Sequence, residues 1–189
     1  MIRIAMVGDI GSGKSYIATF FDYPVFNADL EVAKIYKTNK SCFKKLKKNL
    51  PKYFSVFPAN KIQIIKAIED SEKNLKKITK IIHPEIRKKL SIFLKKNKKR
   101  KVIILDIPLL LENKLNKKSD IIVFVQSKKS EIIKRLKKRN NFNLNLYNQF
   151  KKIQLPLSFK KKKSNYIVKN NFTNSSVKIS VKKILKEII

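Results

Sequence analysis

Short runs of apolar residues alternate with longer amphipathic stretches along the chain. Four nearly uninterrupted apolar runs are predicted to be strands, at residues 2–7, 24–26, 102–106 and 121–125. The segments between them carry apolar residues at helical spacing, as in the series Ile78, Ile82 and Ile86. Continuous apolar strands that alternate with helices are typical of a parallel sheet covered on both faces. The pattern therefore predicts an α/β fold, with a fifth strand at residues 165–168 and a closing helix at residues 177–188.

The middle of the chain, residues 30–100, is predicted to be mainly helical, with a break at residues 51–58. His83-Pro84 interrupts the helical spacing. Because proline is tolerated in the first turn of a helix, we expect a new helix to begin there. A lone histidine is more often a structural hydrogen-bonding residue than a catalyst, so both interpretations of His83 stay open.

All three glycines of the chain lie in one loop, Gly8-Asp9-Ile10-Gly11-Ser12-Gly13-Lys14-Ser15. The loop follows a predicted strand, precedes a predicted helix and fits the P-loop pattern G-x-x-x-x-G-K-[ST]. Glycines let backbone N–H groups turn toward an anion, and the start of a helix favours negative charge. The loop therefore predicts binding of a nucleoside triphosphate. Lys14 is expected at the β- and γ-phosphates, and the Ser15 hydroxyl on Mg²⁺.

Two acidic residues follow predicted strands. Asp106 ends the strand at residues 102–106, a position from which an acid can hold Mg²⁺ directly or through water. Asp29 follows the strand at residues 24–26, where a carboxylate could accept a proton from an attacking hydroxyl group. The local sequence alone favours Asp29 as the cap of a helix that begins at Leu30, and one residue can do both.

Charge is the most conspicuous feature of the composition: 46 Lys+Arg against 13 Asp+Glu give 189 residues a net charge of +33. A nucleic-acid-binding protein would use such charge to neutralise phosphates. Aromatic residues are not interleaved with the basic runs, however, and no RNA-binding motif is recognisable. The abundance of Lys, Ile and Asn instead indicates compositional drift that leaves the lysines on a solvated surface. We therefore expect no specific nucleic-acid partner.

Two of the few arginines, Arg135 and Arg139, share a face of a predicted helix. Guanidinium groups retained amid so much lysine are expected to contact phosphate, the alternative being ordinary surface arginines.

Several classes of protein are excluded. The single cysteine, Cys42, cannot form an internal disulfide, and with only one histidine the chain cannot complete a structural zinc site. No apolar run approaches the ~20 residues that span a bilayer, and no signal-peptide pattern is present. We expect a cytoplasmic monomer that binds small-molecule substrates and no membrane.

The order of these motifs resembles that of dephospho-coenzyme A kinases over nearly the whole chain. Beyond the phosphate loop, the matching segments are Asn27-Ala28-Asp29, His83-Pro84, Asp106-Ile107-Pro108-Leu109-Leu110-Leu111-Glu112, Arg135, Arg139, Gln154-Leu155-Pro156, Lys160 and Tyr166 to Asn170. Many families share the phosphate loop. The segment Ile-Pro-Leu-Leu-x-Glu downstream of His-Pro is far more specific.

The resemblance implies a P-loop NTPase fold: a three-layer α/β sandwich around a parallel five-stranded sheet, with a helical substrate domain and a lid. The core would comprise residues 1–28, 83–135 and 164–189, the substrate domain residues 29–82 and the lid residues 136–163. The implied reaction is phosphorylation of the ribose 3′-hydroxyl of dephospho-coenzyme A by Mg-ATP, the last step of coenzyme A synthesis. Another small P-loop kinase, acting on a different hydroxyl group, is the alternative.

The resemblance also implies roles for single residues. The catalytic residues would be Asp29 as general base, Lys14, and Arg139 as a lid arginine over the transferring phosphoryl group. ATP would be bound by Gly8, Gly11, Ser12, Gly13, Lys14, Ser15 and Tyr16, and Mg²⁺ by Ser15 and Asp106. The acceptor would be bound by Asp29, His83, Leu109, Glu112 and Arg135.

The chain also departs from the family pattern. The departures are Asn27 for an acid, Tyr16 for threonine, Ile132 for glutamine, Phe150 for arginine and Ser164-Asn165 for Ala-Asp. Since the phosphate loop and Asp29 are intact, we expect activity, with the lid as the part most affected.

Overall fold

The computed structural model describes residues 1–138 and 142–189, which fall into two compact units. Unit 1 comprises Met1–Asn27, Asn97–Asn143 and Phe150–Ile189, and unit 2 comprises Ala28–Lys96 and Leu144–Gln149. The elements in chain order are β1 (Ile2–Gly8), α1 (Lys14–Thr19), β2 (Val25–Asn27), α2 (Ala28–Thr38), α3 (Lys40–Asn49), α4 (Lys61–Asp70), α5 (Glu72–Lys96), β3 (Val102–Asp106), β4 (Ile121–Gln126), α6 (Lys129–Lys137), α7 (Leu144–Lys152), α8 (Leu157–Lys162), β5 (Tyr166–Lys169) and α9 (Asn174–Ile188).

Unit 1 is built on a five-stranded sheet in the order β2-β3-β1-β4-β5. Every neighbouring pair is parallel, with Ile4 opposite Ile104 of β3 and Ile121 of β4. The predicted α/β class and parallel sheet are confirmed, including the fifth strand, which is shifted by one residue to Tyr166–Lys169. Because all strands run the same way, the segments that leave β1, β3, β4 and β5 emerge at one edge of the sheet.

Apolar side chains cover both faces of the sheet, as the continuous apolar strands predict. On one face, Ile4 and Met6 of β1 belong to a buried cluster with residues of α1 and α9. The alternate residues Ala5 and Val7 are buried as well, although they point to the opposite face. A strand buried on both faces places its carboxyl end, and the loop that follows, at a fixed position.

Unit 2 is helical. Helix α5 packs against α2, α3 and α4, and its residues Ile78, Ile82 and Ile86 are all buried. Their spacing of four residues puts them on one face, which is the arrangement the sequence predicts. Asn39 and Asn60 cap the starts of α3 and α4 by accepting hydrogen bonds from backbone N–H groups of the first turn.

Helix α5 is continuous through Pro84, so the prediction that a new helix begins at His83-Pro84 is wrong. Proline removes one backbone donor and crowds the preceding turn. The buried isoleucines on both sides of Pro84 keep the helix packed across this position, and most helical stability in proteins comes from such packing. Unit 2 contains the whole of α5 and runs to Lys96.

Helix α2 begins at Ala28, directly after β2 ends at Asn27. Asp29 is therefore the second residue of this helix and not the cap of a helix that begins at Leu30. The alternative interpretation of Asp29 as the cap of that helix is wrong, although an acid in the first turn still interacts favourably with the helix dipole.

Within residues 1–138 and 142–189, no helix has the length and apolar character needed to cross a membrane.

One buried ion pair joins the central strand to the start of its neighbour. The Arg3 Nη2 atom donates a hydrogen bond of 3.0 Å to Asp120 Oδ2, and Arg3 Nε lies 2.9 Å from Oδ1. The Lys117 backbone N–H donates to the same carboxylate at 2.9 Å. Burial raises the pKa of Asp120, while the Lys117 N–H and Arg3 lower it. The carboxylate thus depends on its partners to stay ionised inside the protein.

We expect Arg3→Met to lower the free energy of unfolding by about 3–5 kcal/mol, because it leaves a buried carboxylate without its counter-charge. Chemical denaturation measures the loss. Arg3→Met/Asp120→Asn, which removes both charges, should be the more stable of the two variants, and their difference should shrink at acid pH as Asp120 is protonated. Equal stability of the two variants at neutral pH would contradict this account.

Candidate functional site

The phosphate loop connects β1 to α1 and has a backbone that requires glycine at two positions. Gly13 has φ +91°, and a Cβ there would lie 2.3 Å from Asn170 Nδ2. Gly8 has φ +146°, and a Cβ there would lie 2.6 Å from the Val125 carbonyl oxygen. A side chain at either position would strain the backbone, and it would collide with β4 at position 8 and with the Asn170 side chain at position 13. The fold therefore requires glycine at positions 8 and 13 of the predicted loop.

Two side chains hold the loop from outside. The Ser12 carbonyl oxygen accepts a hydrogen bond of 2.9 Å from Ser127 Oγ and one of 2.8 Å from Asn170 Nδ2. Ser127 and Asn170 follow the carboxyl ends of β4 and β5. Neither residue was among the predicted site residues. The available signal was their position, since residues just past parallel strands gather at one edge of the sheet.

Ser12 is fully buried, and its Oγ atom finds no hydrogen-bond partner within the described ranges. A buried hydroxyl without a partner is costly. Such a group in the middle of a loop of this pattern fits a site whose missing partner is a bound anion.

Lys14 folds back over its own loop. Its Nζ atom donates a hydrogen bond of 2.8 Å to the Asp9 carbonyl oxygen and a longer one of 3.4 Å to the Gly8 carbonyl oxygen. These acceptors are neutral, so a phosphate group can compete for the same ammonium group with a full negative charge.

Asp106 lies at the end of β3, where it is buried. Burial raises the pKa of its carboxyl group, whereas a hydrogen bond with the Ser15 side chain and the charge of Lys14 lower it. Asn27 Nδ2 also donates to Asp106 Oδ2 at 2.7 Å. The residue that departs from the family pattern thus supports the carboxylate, where a second acid would repel it.

Magnesium fits this group of residues. The Ser15 hydroxyl and the Asp106 carboxylate are the hard oxygen ligands that Mg²⁺ prefers, and they already contact each other. Among the described residues there is no cluster of three or more His, Cys, Asp or Glu side chains that could hold a metal alone. A site with few protein ligands suits an ion that reaches its full coordination with substrate phosphates and water.

Glu112, a predicted acceptor-binding residue, is engaged within unit 1. Its Oε1 atom lies 2.6 Å from Lys160 Nζ and accepts a hydrogen bond of 3.0 Å from the Leu155 backbone N–H. Lys160 is only 3% exposed despite its place in a run of four lysines. The ion pair therefore ties the loop after β3 to the start of α8. Leu109, in the same loop, has φ +56°, and its carbonyl oxygen accepts two hydrogen bonds from Asn113.

Arg135 and Tyr16, also in unit 1, contact the segment after β5. The Arg135 guanidinium carbon lies over the Phe172 ring, 4.2 Å from its centroid, which is a cation–π contact. Tyr16 donates its hydroxyl hydrogen to Asn174 Oδ1. Phe172 itself has φ +64°, which is uncommon for a bulky residue and is often found near functional sites.

The remaining predicted residues are placed as follows. Asp29 and His83 belong to unit 2, in α2 and α5. His83 is half-buried, and burial together with the charge of Arg87 lowers its pKa, so the imidazole is held uncharged at neutral pH. Arg139, the expected lid arginine, lies outside the described residues.

Comparison with known proteins assigns the chain to a family. A family model described as dephospho-CoA kinase (CoaE) matches residues 2–176. A dephospho-CoA kinase of Wolbachia pipientis wMel is 32% identical over 98% of this chain and 97% of its own length. A second, from the Wolbachia of Brugia malayi, is 30% identical with the same coverage of both chains.

Solved structures agree on the fold. The Thermus thermophilus protein TT1252 superposes with a TM-score of 0.80 at 24% identity, covering all of this chain and 98% of its own. The dephospho-CoA kinase of Campylobacter jejuni gives a TM-score of 0.66 at 19% identity, with coverage of 98% and 96%. With a family model that spans nearly the whole sequence, and with relatives of matching length, the chain belongs to the dephospho-CoA kinase family.

Proposed function

We propose that this chain transfers the γ-phosphoryl group of Mg-ATP to the ribose 3′-hydroxyl of dephospho-coenzyme A. The observation that carries the proposal is the intact phosphate loop, with Lys14, Ser15 and the buried Asp106 gathered in unit 1, in a chain that belongs to this family. The loop backbone is held in shape before nucleotide binds, because Ser127 and Asn170 fix the Ser12 carbonyl group. Such preorganisation reduces the cost of ordering the loop around a phosphate.

The residues of unit 1 would position the donor. Lys14 exchanges its backbone carbonyl acceptors for β- and γ-phosphate oxygens. Ser15 and Asp106 would hold Mg²⁺, and Asn27 keeps the Asp106 side chain in place through its amide. When bound, Mg²⁺ neutralises charge that develops on the phosphate oxygens during transfer.

In the proposed reaction the acceptor 3′-oxygen forms a bond to the γ-phosphorus. The bond between that phosphorus and the β–γ bridging oxygen breaks, and ADP leaves with the bond's electron pair. The proton of the acceptor hydroxyl passes to the carboxylate of Asp29. Asp29 follows Asn27, the Asp106 partner, by two residues along the chain. Arg139 would add positive charge to the transferring group.

We further assign acceptor binding to the helices of unit 2 and a lid role to residues 136–163, with His83, Leu109, Glu112 and Arg135 as contributors to acceptor binding. Since Glu112 already pairs with Lys160 inside unit 1, its contribution is best explained as shaping the loop after β3. A cytoplasmic location and a monomeric state stay predictions.

The buried position of Lys160 weakens the case for a nucleic-acid-binding protein. Lys160, the first lysine of the Lys160–Lys163 run, is buried and forms an ion pair with Glu112. The run therefore presents a smaller basic surface than its sequence indicates.

The experiment that tests the proposal measures ADP release from Mg-ATP with a panel of acceptors. We expect turnover with dephospho-coenzyme A and not with shikimate, adenosine monophosphate or simple alcohols, because the motifs after the phosphate loop match this family. Mass spectrometry of the product should show one added phosphate on the ribose. Turnover with another acceptor, and none with dephospho-coenzyme A, would refute the proposal.

We expect Asp29→Asn to lower kcat by about 10²-fold or more, while the Kd for Mg-ATP stays near that of the wild type. The amide preserves the shape of the side chain but cannot take a proton. The matched control is Asp22→Asn, an exposed acid with φ +56°, a conformation that asparagine also accepts. Unchanged turnover in Asp29→Asn would leave the residue with a purely structural role in the first turn of α2.

We expect Asp106→Asn to raise the Mg²⁺ concentration for half-maximal activity by about 10–100-fold, since a metal ligand loses its charge. In the wild type the pKa of Asp106 is raised by burial, so lowering the pH protonates this ligand and the Mg²⁺ requirement should rise. Magnesium titrations at several pH values measure both effects. As the pH falls, the Mg²⁺ concentration for half-maximal activity should rise more steeply in the wild type than in Asp106→Asn. An equal or smaller rise in the wild type would exclude Asp106 as the titrating ligand.

A further inference from the structure

The phosphate loop of this chain carries an acid of its own. Asp9, the second residue of the loop, is only 8% exposed. Its Oδ1 atom accepts a hydrogen bond of 2.7 Å from the Ile10 backbone N–H. An anionic side chain in a loop that binds a highly anionic ligand is electrostatically unfavourable, because like charges repel strongly where water is partly excluded.

A lysine from a distant part of the chain pairs with this acid. Lys151, near the end of α7 and 142 positions away, contacts Asp9 Oδ1 through its Nζ atom. The lysine side chain is 35% exposed, and that of Asp9 is 11% exposed. Both residues belong to unit 1.

The pair lies at the wall of a cavity of about 250 Å³ beside the carboxyl end of β4. Apolar side chains form much of this wall, at Phe124, Val125, Ile132 and Leu157. In such surroundings an uncompensated carboxylate would be poorly solvated, and its field would reach further than it does in water. Lys129 also lines the cavity, but the ion pair that the structure records for Asp9 is with Lys151.

Asp9 thereby engages two lysines through different atoms. Its backbone carbonyl oxygen accepts from Lys14, and its carboxylate accepts from Lys151. If Lys14 moves to a phosphate, as the proposed function requires, the Asp9 carboxylate stays in the loop. The charge of Lys151 is then what offsets it.

We propose that Lys151 is a positioning residue for nucleoside triphosphate: it neutralises Asp9, which lets a phosphate loop that contains an acid accept the triphosphate. The inference rests on the proposed function only in that the loop binds a nucleotide, and it makes no reference to the acceptor. Lys151 acts through Asp9 and need not touch the ligand.

The test is a double-mutant cycle on the Kd for Mg-ATP, measured by titration calorimetry with Lys151→Met, Asp9→Asn and the double variant. We expect Lys151→Met to weaken binding by about tenfold, a size common for coupled charges. Asp9→Asn should bind at least as tightly as the wild type. In the Asp9→Asn background, Lys151→Met should change the Kd by less than about threefold.

Three further measurements separate charge compensation from a structural defect. Lys151→Arg should restore wild-type affinity, and Lys151→Met should leave the weak binding of adenosine, which has no phosphates, unchanged. The matched control is Lys161→Met, an exposed lysine of α8 in the same unit, which should keep the wild-type Kd.

The proposal is overturned if Lys151→Met leaves the Kd for Mg-ATP unchanged or if Asp9→Asn fails to rescue it. It is equally overturned if Asp9→Asn alone weakens binding tenfold, since the acid would then assist the site. This last variant keeps the shape of the side chain, so it decides the question even if Lys151→Met does not fold. Because ATP binding is measured without acceptor, failure here is distinguishable from failure of the proposed reaction.

Discussion

Two hydrogen bonds to one carbonyl oxygen, that of Ser12, fix the position of the phosphate loop, on which the rest of the site depends. The donors, Ser127 and Asn170, come from the ends of β4 and β5, so the loop after β1 is fastened to both strands on that side of the sheet. The same two strands exclude side chains from the loop. The Val125 carbonyl oxygen of β4 lies too close to position 8, and the Asn170 side chain after β5 lies too close to position 13. The strand order therefore determines both the shape of the phosphate loop and the positions at which it requires glycine. A sheet with a different strand order would leave the loop without these donors.

The opposite side of the loop is organised around Asp106. Its carboxylate is buried, which favours the protonated form, yet it receives hydrogen bonds from Ser15 and Asn27 and feels the charge of Lys14. Burial and these partners therefore act on the pKa of Asp106 in opposite directions. A magnesium ligand must be ionised, yet it must keep an oxygen lone pair for the metal. Asparagine at position 27 serves this balance better than an acid would, since its amide donates a hydrogen bond where an acid would add charge.

Much of this arrangement could be predicted from the sequence, because the informative signals are local. The apolar runs gave the strands, and the loop motif placed Lys14 and Ser15 together. The contacts that escaped prediction join residues far apart in the chain, namely Ser127 and Asn170 at Ser12, and Lys151 at Asp9. The composition predicts lysines on a solvated surface, and nothing in the run around Lys160 indicates that this lysine is buried. At Pro84 the local sequence predicts the start of a new helix, but packing on both sides keeps α5 continuous.

The geometry of two arginines bears on how freely this lysine-rich sequence can vary. Arg3 addresses both oxygens of Asp120, and the Arg135 guanidinium carbon lies over the Phe172 ring. A lysine could supply the same charge at position 3, but its ammonium group is neither planar nor forked and could not address both oxygens of Asp120 in this way. Exchange of arginine for lysine, harmless on a solvated surface, would carry a structural penalty at position 3. In a chain this rich in lysine, the shape of the side chain, more than its charge, decides which cations are replaceable.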